Sequence, residues 1–91
     1  MSGPLYTIGN YAQISASTRV NANPGDLLGI LVSAASATPT ITVYDNTAAS
    51  GTVVVAQFTP VAGQWYPMPA VCTTGLYVAL GGTVSCTVFF R

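Results

Sequence analysis

Charge is nearly missing from this sequence. Arg19, Arg91, Asp26 and Asp45 are the only charged side chains among its 91 residues, and lysine, glutamate and histidine do not occur. The charged fraction is 4%, against about 25% in an ordinary soluble domain. Each absence excludes a chemistry. Without histidine, a cysteine nucleophile lacks its usual base, and two thiols alone do not make a zinc ligand set. Paired-carboxylate catalysis needs two acids in one cleft, whereas Asp26 and Asp45 each adjoin a different turn. Two arginines form no basic stripe to neutralise phosphates, so no direct nucleic-acid partner is expected. One carboxylate in the triplet Asp45, Asn46, Thr47 is thin for calcium, and no glycine-rich loop opens a helix to cradle phosphate. The expectation is a protein that is not an enzyme, with no catalytic residues, no metal and no cofactor.

Long apolar runs are missing as well. The longest, LLGILV at residues 27–32, falls far short of the roughly 18–20 residues of a membrane-spanning helix, so no membrane partner is expected. The opening MSGPLYTIGN has neither the basic nor the apolar region of a signal peptide, which points to synthesis in a cytosol. Cysteine is limited to Cys72 and Cys86. In a cytosolic product they read as reduced core thiols behaving like small hydrophobes, with a disulfide between them as the alternative.

What is present is β-forming and apolar. Hydrophobic residues make up 51% of the chain, so it is not disordered by composition, and its length suits one small domain. No stretch repeats apolar residues at helical spacing among good helix formers. Thr- and Val-rich segments instead recur at short intervals between Gly, Pro, Asn and Asp, the pattern of a small antiparallel β-sandwich, jelly-roll-like, of about six to eight strands. Residues 1–12 read as an N-terminal arm or an edge segment, and 13–91 as the single domain. Residues 13–20 are an expected first strand and NANPGD (21–26) a turn. Residues 27–33, apolar on both faces, read as a central strand, and SAASATP (33–39) as a small-residue loop. TITVY (40–44) alternates, with Ile41 and Val43 inward. DNTAASG (45–51) turns the chain into a strand at 52–58, making a hairpin. QWYPM (64–68) carries Pro67 and belongs at a sheet edge. Residues 75–80 form a strand, Gly81 and Gly82 a hairpin turn, and residues 83–91 a last strand. In that strand Val84, Cys86, Val88 and Phe90 face inward, and Thr83, Ser85, Thr87 and Phe89 outward.

The polar surface falls to Thr, Ser, Asn and Gln, which shed water without stripping ions. A neutral surface with undefended strand edges is that of a chain lying against copies of itself or a partner. Aromatic residues are the candidate interface groups, because they bury large area at low rotamer cost: Tyr6, Tyr11, Tyr44, Trp65, Tyr66 and Phe89. Asp26 and Asp45 are assigned structural roles, each capping its own turn by accepting backbone N–H groups two residues on.

The segments LLGILVSAASATPTITVYDNTAASGTVV and TTGLYVALGGTVSCTVFFR resemble a group of small tailed-bacteriophage virion proteins. The likeness lies in a leading apolar strand, the YDNT–SG hairpin, the TTGL strand start and the Thr-Val-aromatic-aromatic-Arg ending. It covers residues 27–91, and residues 1–26 carry little of it. Such chains resemble capsid decoration or cement proteins. The resemblance implies a β-sandwich or jelly-roll module on the capsid exterior of a virion, made in the host cytoplasm and commonly trimeric. It would bind the major capsid protein and itself, bridging neighbouring capsid subunits. The other reading of the same residues is a tail or fibre adhesion domain, or a carbohydrate-binding β-sandwich, in which Trp65 and Tyr66 form a sugar-stacking platform.

Overall fold

A computed structural model describes residues 9–91. Six antiparallel strands make one hydrogen-bonded sheet: β1 (Asn10–Ile14), β2 (Thr18–Asn21), β3 (Gly25–Asp45), β4 (Thr52–Phe58), β5 (Trp65–Cys72) and β6 (Leu76–Phe90). The described residues contain no helix. The all-β antiparallel expectation therefore holds, and the strand number lies within the expected range.

The architecture follows from two long strands. β3 and β6 pair with one another from Leu27 opposite Phe90 to Tyr44 opposite Tyr77. In one half of the molecule the order is β1–β6–β3–β5, and in the other it is β2–β6–β3–β4. The apolar faces of both halves supply a single core of Ile14, Leu27, Ile30, Val32, Ile41, Val43, Cys72, Leu76, Val78, Val84, Cys86 and Val88. Fully burying a Val, Leu or Ile side chain contributes about 1.5–3 kcal/mol, so this core holds the two halves together. Phe58 of β4 meets Tyr66 of β5 with ring centroids 5.1 Å apart, which ties the halves along one side.

Period-two alternation selects the inner residues as expected. Ile41, Val43, Val84, Cys86 and Val88 are all buried. Residues 27–33 are central, flanked by β5 and β6. The strand carrying Pro67 lies at an edge, paired only with β3, and it runs past Pro69 to Cys72. The pairing of Val43 with Val55 makes the β3–β4 hairpin.

Three local expectations are corrected. Residues 10–12, read as arm or edge segment, belong to the edge strand β1 rather than to an arm, while residues 1–8 lie outside the described residues. The expected first strand at 13–20 is instead two strands separated by a bend at Ser15 and Ala16, with Gln13 ending in β1 and Val20 in β2. The third correction concerns SAASATP and Gly81–Gly82, which are neither loop nor hairpin turn. β3 and β6 run straight through them.

The reason is a bulge. Ala37, Thr38 and Pro39 stand opposite Gly82 alone, between the pairs Ser36–Thr83 and Thr40–Gly81. Ala37 and Thr38 adopt left-handed φ values of 55° and 56°, a conformation costing about 1–2 kcal/mol per non-glycine residue. Gly82 takes φ 66°, and a Cβ there would lie 2.3 Å from the Thr38 carbonyl oxygen and 2.4 Å from that of Ala37. Extra residues in one strand bend it and raise its twist. The bulge and Gly82 together let the long β3–β6 ribbon change direction between the two halves without losing its pairing.

Candidate binding face

In the half ordered β1–β6–β3–β5, residues that alternate with the core form an outer face. Register sets its rows. Tyr11, Phe89, Gly29 and Pro67 lie side by side across the four strands, and Gln13, Thr87, Leu31 and Trp65 form the next row. Gly29 leaves a gap in the first row, and the Trp65 indole leans diagonally across β3 to fill it. A Cβ on Gly29 would lie 2.4 Å from Trp65 Cη2 and 2.7 Å from Cζ2. The indole meets Phe89 edge-on, with centroids 5.6 Å apart and planes at 77°, the geometry aromatic quadrupoles favour.

Gly9, Leu28, Leu31, Trp65 and Phe89 together line an open groove of about 450 Å³. Trp65 remains 46% exposed, Leu31 38% and neighbouring Tyr11 69%. Its walls carry no charged group, and the Trp65 indole N–H is the one side-chain hydrogen-bonding group among the lining residues. Chemically the groove fits apolar side chains.

The six aromatic candidates separate. Tyr11, Trp65 and Phe89 share this outer face. Tyr66, adjacent to Trp65, alternates to the inner face, where it packs against the core and its hydroxyl accepts the Val61 N–H at 2.9 Å. The Trp65–Tyr66 platform is therefore corrected, because neighbouring residues in a strand point to opposite faces. Tyr44 lies in the other half, edge-on to Tyr77 at 6.4 Å. Tyr6 lies outside the described residues. Sequence reasoning passed over Leu28, Gly29 and Leu31. Their signal was the strand at 27–33, apolar on both sides, read there as central. It is central within the sheet, but no layer of the described residues covers its outer side.

Both carboxylates act in ways that differ from the local caps expected of them. Asp45 caps a turn 28 residues further on. Its Oδ2 accepts the Thr73 N–H at 2.9 Å and the Thr73 hydroxyl at 3.1 Å, and its Oδ1 accepts the N–H groups of Thr74 at 2.8 Å and Gly75 at 3.3 Å. These donors, the Thr73 and Thr74 amides foremost, hold its pKa down at about 2. Asp26 lies within β3. It exchanges backbone hydrogen bonds with Arg91 at 2.7 Å each way, and its Oδ2 accepts from the Arg91 guanidinium at 3.1 Å. The local turn bonds come from asparagines instead. Asn21 Oδ1 accepts the Asn23 N–H, and Asn46 accepts the Thr47 N–H while donating to the Ser50 carbonyl.

Compared with known proteins, the chain matches no family model, no curated protein and no solved structure.

Cys72 and Cys86 are free and buried. Burial pushes the Cys86 thiol up to about 11, and burial followed by the fields of Asp45 and Asp26 raises Cys72. Both are therefore protonated and poorly nucleophilic at neutral pH. Among the described residues no three metal-ligating side chains gather, and no helix is long and apolar enough to cross a membrane.

Proposed function

We propose that the chain is a structural protein of a tailed-bacteriophage virion. It decorates the capsid exterior and bridges major capsid subunits as a homo-oligomer, with a trimer expected. The supporting observation is a nearly uncharged surface that carries large apolar side chains. Asp26 is paired with Arg91 and Asp45 is saturated by a turn, which leaves Arg19 as the unpaired charge among the described residues. Tyr11, Leu31, Val53, Val61, Trp65 and Val71 are exposed. Covering such a surface removes apolar area from water and strips almost no ions. The outer edges of β1 and β4 carry neither charge nor proline, the usual defences against pairing with another chain. The sequence resemblance to capsid decoration proteins supplies the identity of the partner.

Electron microscopy of purified particles tests this reading. The expected result is the chain on the capsid exterior. Its presence only in tails or fibres, or its absence from the virion, sinks the proposal.

Exposed Trp65 keeps a second reading in play, a tail or fibre adhesion or carbohydrate-binding module. The groove favours it less, because sugar hydroxyls call for several polar partners and the lining offers one. A glycan array with the wild type and Trp65→Ala separates the two: a signal lost on substitution selects the adhesion reading, and a blank array the structural one.

A further inference from the structure

The half of the molecule ordered β2–β6–β3–β4 has an outer face of its own. Arg19 of β2 stands opposite Tyr77 of β6, Tyr77 opposite Tyr44 of β3, and Tyr44 opposite Val53 of β4. The chain neighbours Leu76, Val78 and Val43 are buried in the core, so alternation turns this row outward. The row crosses all four strands, about 14 Å at a strand spacing of roughly 4.8 Å. Arg19 and Val53 at its two ends are exposed, and the two tyrosines between them, edge-on to one another, are half-buried. Arginine and tyrosine are among the residue types that carry most of the binding energy at protein interfaces.

Arg19 restricts what the row can meet. Asp26 and Asp45 are the only acidic side chains of the sequence. Asp26 is ion-paired with Arg91, and Asp45 accepts from Thr73, Thr74 and Gly75. A second copy of the chain carries the same two engaged carboxylates and has no free side-chain acid to offer. A nucleic acid calls for several cations to neutralise its phosphates, and this row has Arg19 alone. An aromatic and apolar row ending in one guanidinium fits a protein surface with one carboxylate set among apolar side chains. The guanidinium fork takes a carboxylate in two parallel hydrogen bonds, and tyrosine hydroxyls add further donors.

We infer that the row Arg19, Tyr77, Tyr44 and Val53 is the contact with a protein other than this chain, which brings an aspartate or glutamate to Arg19. The inference rests on the capsid reading for the identity of that protein, the major capsid protein, and assigns the contact to this face rather than to the groove of Trp65.

Capsids lacking the chain are mixed with purified wild type or variants, and the bound fraction is measured by co-sedimentation. A cooperative urea transition near the wild-type midpoint is expected of Arg19→Gln, Arg19→Lys and Val53→Glu, because both positions are exposed. The wild type is expected to bind less tightly as salt rises, since Arg19 is the charge that salt can screen. Arg19→Gln is expected to weaken binding by roughly 30-fold or more and to remove most of the salt dependence. Arg19→Lys falls between the two, because it keeps the charge and loses the fork. Val53→Glu, which sets an anion at the other end of the row, weakens binding as well, and Trp65→Ala binds like the wild type. Wild-type affinity in Arg19→Gln overturns the inference and leaves the capsid reading standing. A loss in Trp65→Ala then moves the partner to the groove, and a rise in the mass of free Arg19→Gln by light scattering makes Arg19 a guard of the β2 edge against other chains. A wild-type chain that does not sediment with capsids overturns the capsid reading and the inference with it.

Discussion

Replacing Gly29 by alanine probes the structural basis of the exposed face. The new Cβ would lie 2.4 and 2.7 Å from the Trp65 ring and 2.8 Å from the Tyr66 carbonyl oxygen, whereas carbon atoms in contact settle at about 3.5–4.0 Å. The ring must retreat by about 1 Å, and it is free to do so toward solvent. The Tyr66 carbonyl belongs to the β3–β5 pairing, where Ile30 stands opposite Tyr66, and it yields less readily. Overpacking costs about 1–3 kcal/mol, and loss of the Trp65–Phe89 contact about 0.5–1.5 kcal/mol. Alanine returns about 0.4–1 kcal/mol by restricting the unfolded chain. The expected net effect is a destabilisation of about 2 kcal/mol.

Urea unfolding followed by far-ultraviolet circular dichroism measures it, and Trp65 emission reports the ring's displacement as a red shift. The control is the same substitution in a Trp65→Ala background. There the ring clash is gone and only the carbonyl contact remains, so Gly29→Ala should cost clearly less. If Gly29→Ala is as stable as the wild type and keeps its emission, the indole does not lie over Gly29 and the groove has a different shape. Equal costs in the two backgrounds would locate the whole effect at the backbone and refute the ring-in-gap geometry just as directly.

Other consequences follow from the same geometry. Gly82→Ala should destabilise by about 2–4 kcal/mol, combining left-handed strain with overpacking against the Ala37 and Thr38 carbonyls; a wild-type midpoint in urea would contradict the bulge. Ile41→Ala, at a site with no exposure, should cost about 2–5 kcal/mol in the same assay. Native chain should resist thiol alkylation at pH 8 and titrate two thiols once unfolded, whereas a disulfide would leave none. The depressed pKa of Asp45, about 2 against an ordinary 3.8, makes its contribution fully present above pH 3.8 and lost as pH falls toward 2. Asp45→Asn should flatten that part of the stability curve measured by acid unfolding, and an unchanged curve would refute the assignment.

Alternation is local, and it was legible. Ile41, Val43, Val84, Cys86 and Val88 could be placed inward from spacing alone, and Pro67 could be placed at an edge. The path of the ribbon was not legible. Gly81–Gly82 after an alternating run carries the ordinary signal of a hairpin. Its actual role, accommodating a three-residue bulge in a strand some forty positions away, depends on a register that sequence periodicity does not encode. The candidate site was half legible for a similar reason. Tyr11, Trp65 and Phe89 stood out as aromatics, but a strand apolar on both sides reads as doubly covered. Only the fold exposes one side of Leu28 and Leu31.

The two aspartates carry this reasoning furthest. Each follows or precedes a turn rich in cap-forming residues, and a local bond is the default for such an acid. Yet in both turns an asparagine makes the local bonds and leaves the carboxylate to a distant segment. An asparagine side chain both donates and accepts, as Asn46 does within its turn. Thr73, Thr74 and Gly75 present Asp45 with three N–H groups, which can only donate, and the Thr73 hydroxyl donates to it as well. Two carboxylate oxygens satisfy that set, whereas an amide would turn its NH₂ toward a donor. Asp45→Asn should therefore destabilise the chain almost as much as Asp45→Ala, and an asparagine variant with wild-type stability would return Asp45 to the role of a local cap. A Cβ on Gly75 would lie 2.9 Å from the Asn21 carbonyl oxygen and 3.1 Å from that of Asn46, so the three turns meet at one place. The acid next to one of them fastens the turn that leads from β5 into β6. In a chain with so few charges, one carboxylate stands where only a carboxylate fits, and its charge is answered by the backbone and hydroxyl donors of a turn.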